Sequence, residues 1–181
     1  MELKVLKKQN NSEECIVCGL QNDASLKVRF YECDGGLICG IFHNEDFHQS
    51  FPGRMHGGMI SAVLDETIGR AVMIKNPDQW GVTGELKVRY LKPTPLETDL
   101  HCWGKIVSEN SRLFKGVGYL ETPDGEVVAT GEATYFKLEL SAIAEGQLDE
   151  HNWYLEKSEA PATLTSKNID LLDTLAQKMG K

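Results

Sequence analysis

At 181 residues, 41% hydrophobic and 25% charged, the chain is long enough for one domain with a substantial core. Its net charge of −8 argues against nucleic-acid binding, which calls for a basic face. No apolar run approaches membrane length, and the start Met1-Glu2-Leu3-Lys4 lacks the apolar core of a signal peptide. The odd count of five cysteines fits a reduced, cytoplasmic protein better than a disulfide framework.

Residues 1–14 are polar and read as a loose N-terminal arm. Cys15-Ile16-Val17-Cys18-Gly19 is a CxxC pair, but structural zinc takes four ligands and no second pair follows. Cys33, Cys39, His43 and His48 are scattered, so structural thiols and no metal are the expectation. Leu26 to Glu32 alternates at period two, Gly35-Gly36 turns the chain, and Leu37 to Phe42 returns it: a hairpin with one buried face. His43 to Gly53 reads as loop, ending in the turn signal Pro52-Gly53.

The stretch from Arg54 to Asn76 organises the rest. After His56-Gly57-Gly58, apolar residues recur at helical spacing through Ile60, Val63, Leu64, Ile68, Ala71 and Ile74. Pro77 ends the run, since proline cannot extend a helix and disfavours helical geometry at Asn76. A second face carries Gly58, Ser61, Ala62, Asp65, Gly69 and Val72, small and apolar apart from one carboxylate. That acid is a cap, a partner of Arg54 or Arg70, a surface charge, or a chemical group. At 100° per residue, Asp65 lies about 180° round from His56 and about 13 Å along the axis. If both serve one site, two copies of the helix must each lend one end, which implies a symmetric dimer.

Strands are expected from Gly81 to Tyr90, Asp99 to Glu109, Ser111 to Thr122 and Glu126 to Leu138, with turns at Pro93-Thr94-Pro95, Asn110 and Pro123-Asp124-Gly125. One helix among so many strands implies an α+β architecture, a curved antiparallel sheet of about six strands wrapped round the helix. Residues 15–138 form the expected domain and 139–181 a C-terminal extension, with a linker over 158–166 and a short amphipathic helix from Ile169 to Met179.

This order of elements, with His56-Gly57-Gly58 opening the helix and Asp65 nine residues after the histidine, resembles the hotdog-fold thioesterases. The nearest branch is the phenylacetic-acid-degradation-type acyl-CoA thioesterases. Val82-Thr83 at a strand start and Tyr90-Leu91-Lys92-Pro93 at its end add to the likeness, which runs from Cys15 to Leu138. The resemblance implies an acyl-CoA thioesterase with its site between the subunits of a dimer or dimer of dimers. Coenzyme A enters as part of the substrate, with no separate cofactor.

By that resemblance, the backbone N–H groups of Gly57 and Gly58 form the oxyanion hole, where a helix N-terminus offers free donors. Asp65 of the partner acts as general base or as nucleophile. Thr83 matches a residue that orients the water, and His56 orients the loop. Relatives often carry Asn or Gln before the His-Gly-Gly; here Gln49 and Ser50 are the candidates. Ser111 and Arg112 fall at a turn that contacts coenzyme A phosphates in relatives. Arg54 and Lys92 are further candidates, with a solvated surface charge the competing reading for each cation.

Glu66 is the competing acid, 100° round the helix from Asp65. A hotdog hydratase or dehydratase would pair a loop histidine with an acid fourteen residues later, but fourteen past His48 stands Ala62. A non-catalytic acyl-CoA sensor is the remaining alternative.

Overall fold

The structure, a computed structural model, describes residues 1–139 and 152–180. Its frame is an antiparallel sheet of eight strands: β1 (Glu2–Lys8), β3 (Arg29–Cys33), β4 (Leu37–Asn44), β5 (Gln79–Tyr90), β6 (Thr98–Glu109), β7 (Leu113–Glu121), β8 (Val127–Glu139) and β10 (Thr163–Thr165). Their order across the sheet is β10-β1-β3-β4-β6-β7-β8-β5, so β5 and β10 are the edges. Two short strands, β2 (Asn11–Ser12) and β9 (Trp153–Tyr154), pair with each other apart from it.

Helix α1 (Gly57–Arg70) lies on the inner face and tightens into a 3₁₀ turn over Ala71–Ile74 before Pro77. Ile60, Val63, Leu64 and Ile68 are buried beneath it, as their spacing requires. The sheet accommodates Ile68 with a row of glycines. Gly104, Gly118 and Gly131 are register partners across β6, β7 and β8. A Cβ on Gly118 would stand 2.8 Å from Ile68 Cγ1, and one on Gly131 3.0 Å from its Cδ1. The helix therefore approaches the sheet more closely than side chains on those strands would permit.

Three expectations change. The sheet has eight strands rather than about six, because the supposed arm carries β1 and the supposed linker carries β10. Leu3 and Leu164, partners across β1 and β10, are buried against Tyr31, Cys39, Trp103 and Tyr119 on the outer face. Burying that outer face is the reason the polar-looking termini order. The helix expected at Ile169–Met179 forms as α2 and packs over β6 and β7 through Leu172 and Leu175.

Glu121 anchors α2. The buried carboxylate accepts from Trp103 Nε1 (2.9 Å), Ser166 Oγ (3.0 Å) and Asn168 Nδ2 (2.7 Å), which satisfies a charge that would otherwise be costly inside. Among the described residues, no helix is long and apolar enough to cross a membrane.

Candidate active site

The site grows from the middle of α1. Asp65 is half-buried and faces the start of β5 and the end of β8. Thr83 Oγ1 donates to both carboxylate oxygens, at 2.9 Å to Oδ1 and 3.0 Å to Oδ2. Tyr135 Oη reaches Oδ1 at 3.1 Å and the backbone carbonyl of the same residue at 2.8 Å. Burial pushes the Asp65 pKa up, while these two donors favour the charged form and hold the rise in check. Burial and the neighbouring carboxylate push the Tyr135 phenol well up, so it remains a donor. β5 is bulged between Thr83 and Glu85, a device that re-aims side chains beside sites.

The other end of α1 behaves differently. His56 is the N-cap, and its Nδ1 accepts from the Gly58 N–H at 2.8 Å. One of the two expected oxyanion donors is thus engaged within the chain. The Gly57 N–H has no partner among the described residues, so it is the donor the turn leaves available. Because Nδ1 accepts, the His56 ring proton resides on Nε2. Tyr90 Oη fixes this first turn by donating to the Gly57 carbonyl (2.9 Å) and contacting Ser61 Oγ (2.6 Å).

Glu66 is taken up in structure. It accepts from Arg70 Nη2 at 2.8 Å, and the half-buried Cys15 thiol lies 3.4 Å from its other oxygen. Arg70 is buried, stacked 4.1 Å from the Phe30 ring and 5.0 Å from that of Trp153, and donates to the Asn10 carbonyl and to Cys18 Sγ. Donor atoms of Cys15, Cys18 and Glu66 lie within 4.8 Å of one another, close enough to hold a cation. The Arg70 guanidinium already sits against two of them, so a metal would have to displace a buried positive charge. The CxxC turn is closed by the Gly19 N–H donating to the Cys15 carbonyl, and a Cβ on Gly19 would fall 2.3 Å from that oxygen. Cys18, Cys33, Cys39 and Cys102 are buried free thiols.

The remaining candidates are spread around the entrance loops. Gln49 Oε1 accepts from the Gly53 N–H, and the Ser50 N–H donates to the Arg54 carbonyl, so both serve the loop before α1. Lys92 pairs with Glu126. Ser111 and Arg112 are exposed at the β6–β7 turn; Asn110 Oδ1 accepts from the Arg112 N–H. The chain alone does not gather these residues around Asp65. His48 is buried, its Nδ1 accepting from the Glu45 N–H and its Nε2 lying 3.2 Å from the Ala24 carbonyl, which makes it a loop strut.

Two contributors have no site role assigned from the sequence: Tyr135, and Tyr90, which figures there only in the strand end that adds to the family likeness. Each reads as one more aromatic in a strand, and only the pairing of β8 with β5 and the crossing of α1 bring them to the helix. A cavity of about 350 Å³ opens beside Asp65 and Thr83; Glu66, Arg70, Tyr135, Trp80 and Trp153 line it, with Cys15 and Cys18.

A model of the thioesterase superfamily matches residues 52–129, which include α1, Asp65 and Thr83. Human acyl-coenzyme A thioesterase 13 is 24% identical over 101 residues, 55% of this chain and 71% of that protein. A crystal structure of a thioesterase superfamily protein superposes with a TM-score of 0.61 at 31% identity, over 67% of this chain and 59% of that one. A Bacillus halodurans protein solved with coenzyme A superposes with a TM-score of 0.51 at 30% identity, over 55% of this chain and 70% of that one. The chain spans only 43% of the length of a further curated relative. With the antiparallel sheet folded on one long helix, these matches make the chain a member of the hotdog-fold thioesterase superfamily.

Proposed function

We propose that the protein is an acyl-CoA thioesterase acting as a symmetric dimer. The observation that carries this reading is Asp65, a half-buried carboxylate held by Thr83 and Tyr135 in the lining of a cavity. Coenzyme A in the Bacillus halodurans relative and the name of the human one support the substrate class.

The dimer is supported by the geometry of β5. Among the described residues this twelve-residue strand has no partner on its outer edge; Val82 and Tyr90 on it are exposed, as are Phe136 and Leu138 beside it. A long edge with apolar side chains is a template for pairing with another chain. A partner docked here would bring its own Gly57 toward this chain's Asp65, which the length of one helix otherwise keeps apart.

In the resulting mechanism, Asp65 and Thr83 of one subunit hold a water against the thioester carbonyl. Asp65 takes the water's proton as the oxygen attacks. The Gly57 N–H of the other subunit stabilises the oxyanion, helped by the positive end of α1. Collapse of the tetrahedral intermediate breaks the C–S bond, and the proton held by Asp65 passes to the departing coenzyme A sulfur. As a nucleophile instead, Asp65 would expel coenzyme A as its thiolate to form a mixed anhydride, which water then opens, its proton passing to the thiolate.

The test is a thiol-release assay with short, long and aromatic acyl-CoAs, wild type beside Asp65→Asn. Turnover that the variant loses is the expected result. No turnover on any thioester, with binding retained, would overturn it in favour of an acyl-CoA sensor.

A further inference from the structure

The family model ends at Ala129, yet part of the lining of the cavity beside Asp65 comes from residues outside the matched range. Chief among them is Trp153, on β9 of the C-terminal extension. Its ring packs on Trp80, with centroids 4.7 Å apart and planes inclined at 57°, and covers the Arg70 guanidinium at 5.0 Å. The position is fixed from two sides. Trp153 pairs with Ser12 across β2 and β9, and three residues on, Glu156 binds Arg29 and Lys8.

We infer that Trp153 is the end wall of the acyl cavity and sets the length of the acyl group the protein accepts. This rests on the thioesterase reading above. About 350 Å³ is near the lower end of the roughly 300–1,000 Å³ typical of small-molecule sites. Beside Trp153 the cavity is lined by the paired Arg70 and Glu66, a saturated ion pair that offers an entering alkyl chain no apolar continuation. The substrate class is therefore compact acyl groups of medium chain or smaller, and long linear chains are rejected by a ring the extension supplies. The matched segment supplies the acid; the termini supply the selectivity.

The experiment compares kcat/KM for octanoyl-CoA and palmitoyl-CoA in the wild type, Trp153→Ala and Trp153→Phe. Wild type is expected to favour octanoyl-CoA. Trp153→Ala should shift the ratio toward palmitoyl-CoA by about tenfold or more, the order that a few methylenes carry in an apolar pocket. Trp153→Phe, which keeps a ring in the wall, should keep the wild-type preference. If Trp153→Ala does not fold, Trp153→Leu is expected to shift the ratio in the same direction. An unchanged ratio in a folded variant, or a wild type that prefers palmitoyl-CoA, overturns the inference. Should no thioester be hydrolysed, the thioesterase reading fails by itself. Binding of the same two ligands then tests the wall: a preference for octanoyl-CoA that Trp153→Ala abolishes upholds it, and equal binding by wild type and variant overturns it.

Discussion

Thr83 and Tyr135 are register partners across β5 and β8, and both donate to Oδ1 of Asp65 on the helix that crosses them. The carboxylate is thereby held in one orientation by two strands that are distant in sequence from each other. Orientation of this kind is what a general base needs, because geometry precedes pKa in deciding whether a proton can be taken.

Asp65→Asn is expected to lower kcat by about a hundredfold or more, the order associated with losing a general base. It should also raise the melting temperature at neutral pH. Burial raises the folded-state pKa of Asp65 above its unfolded value, so the native state holds the proton more tightly. Stability then falls as pH rises from the unfolded pKa through the folded one, and the ionised acid is a net cost above that window. Calorimetry at pH 7 checks the sign; a less stable Asp65→Asn protein would contradict it.

Thr83→Val and Tyr135→Phe each remove a donor that favours the charged carboxylate. The acidic limb of the kcat/KM profile should move to higher pH in both. A pH–rate series on the two variants reads this directly, and a limb that stays put would mean that Asp65 is not the titrating group.

Glu66→Gln separates the two neighbouring acids. Its pair with buried Arg70 is structural, and depriving a buried charge of its partner costs roughly 3–5 kcal/mol. Denaturant melts should register a large loss of stability, while kcat of the folded fraction changes far less than in Asp65→Asn. The reverse pattern would assign the chemistry to Glu66.

Glu156 ties the C-terminal extension to Arg29 and Lys8, and those cations hold its carboxyl well below the usual range. The contribution is present above the unfolded carboxylate pKa and is lost as pH falls toward the depressed folded value. Glu156→Gln should therefore destabilise the protein at pH 7 by about 2 kcal/mol and flatten its acid-denaturation curve. Thermal melts of both proteins between pH 7 and pH 3 provide the comparison.

Val82 and Phe136 face each other at the exposed end of β5 and β8. Val82→Asp places a charge on the proposed dimer edge, and sedimentation should find a monomer with thioesterase activity lost. An active monomer would remove the need for a shared site.

The helix from His56 to Ile74, its buried stripe and its proline stop were legible because period and punctuation are local properties of the chain. The four strands after the helix followed from alternation and turns for the same reason. The first strand and β10 were not legible, since their short segments become strands only when the outer face of the sheet needs covering. Asp65 stood out as an acid among small residues and Thr83 came with the family likeness, whereas Tyr135 carried no local signal.

By itself the sequence determined the central helix, the four strands after it and the His-Gly-Gly turn that opens the helix, because caps, helical faces and turns depend on neighbours within a few residues. The tertiary structure alone decided which of two adjacent acids is available. Arg70, one turn along the helix, takes Glu66, and the β5–β8 register gives Thr83 and Tyr135 to Asp65. It also decided that Trp153, seventy-odd residues beyond Trp80, stands against that ring at the cavity. Such contacts are fixed by long-range packing, on which local periodicity has no bearing.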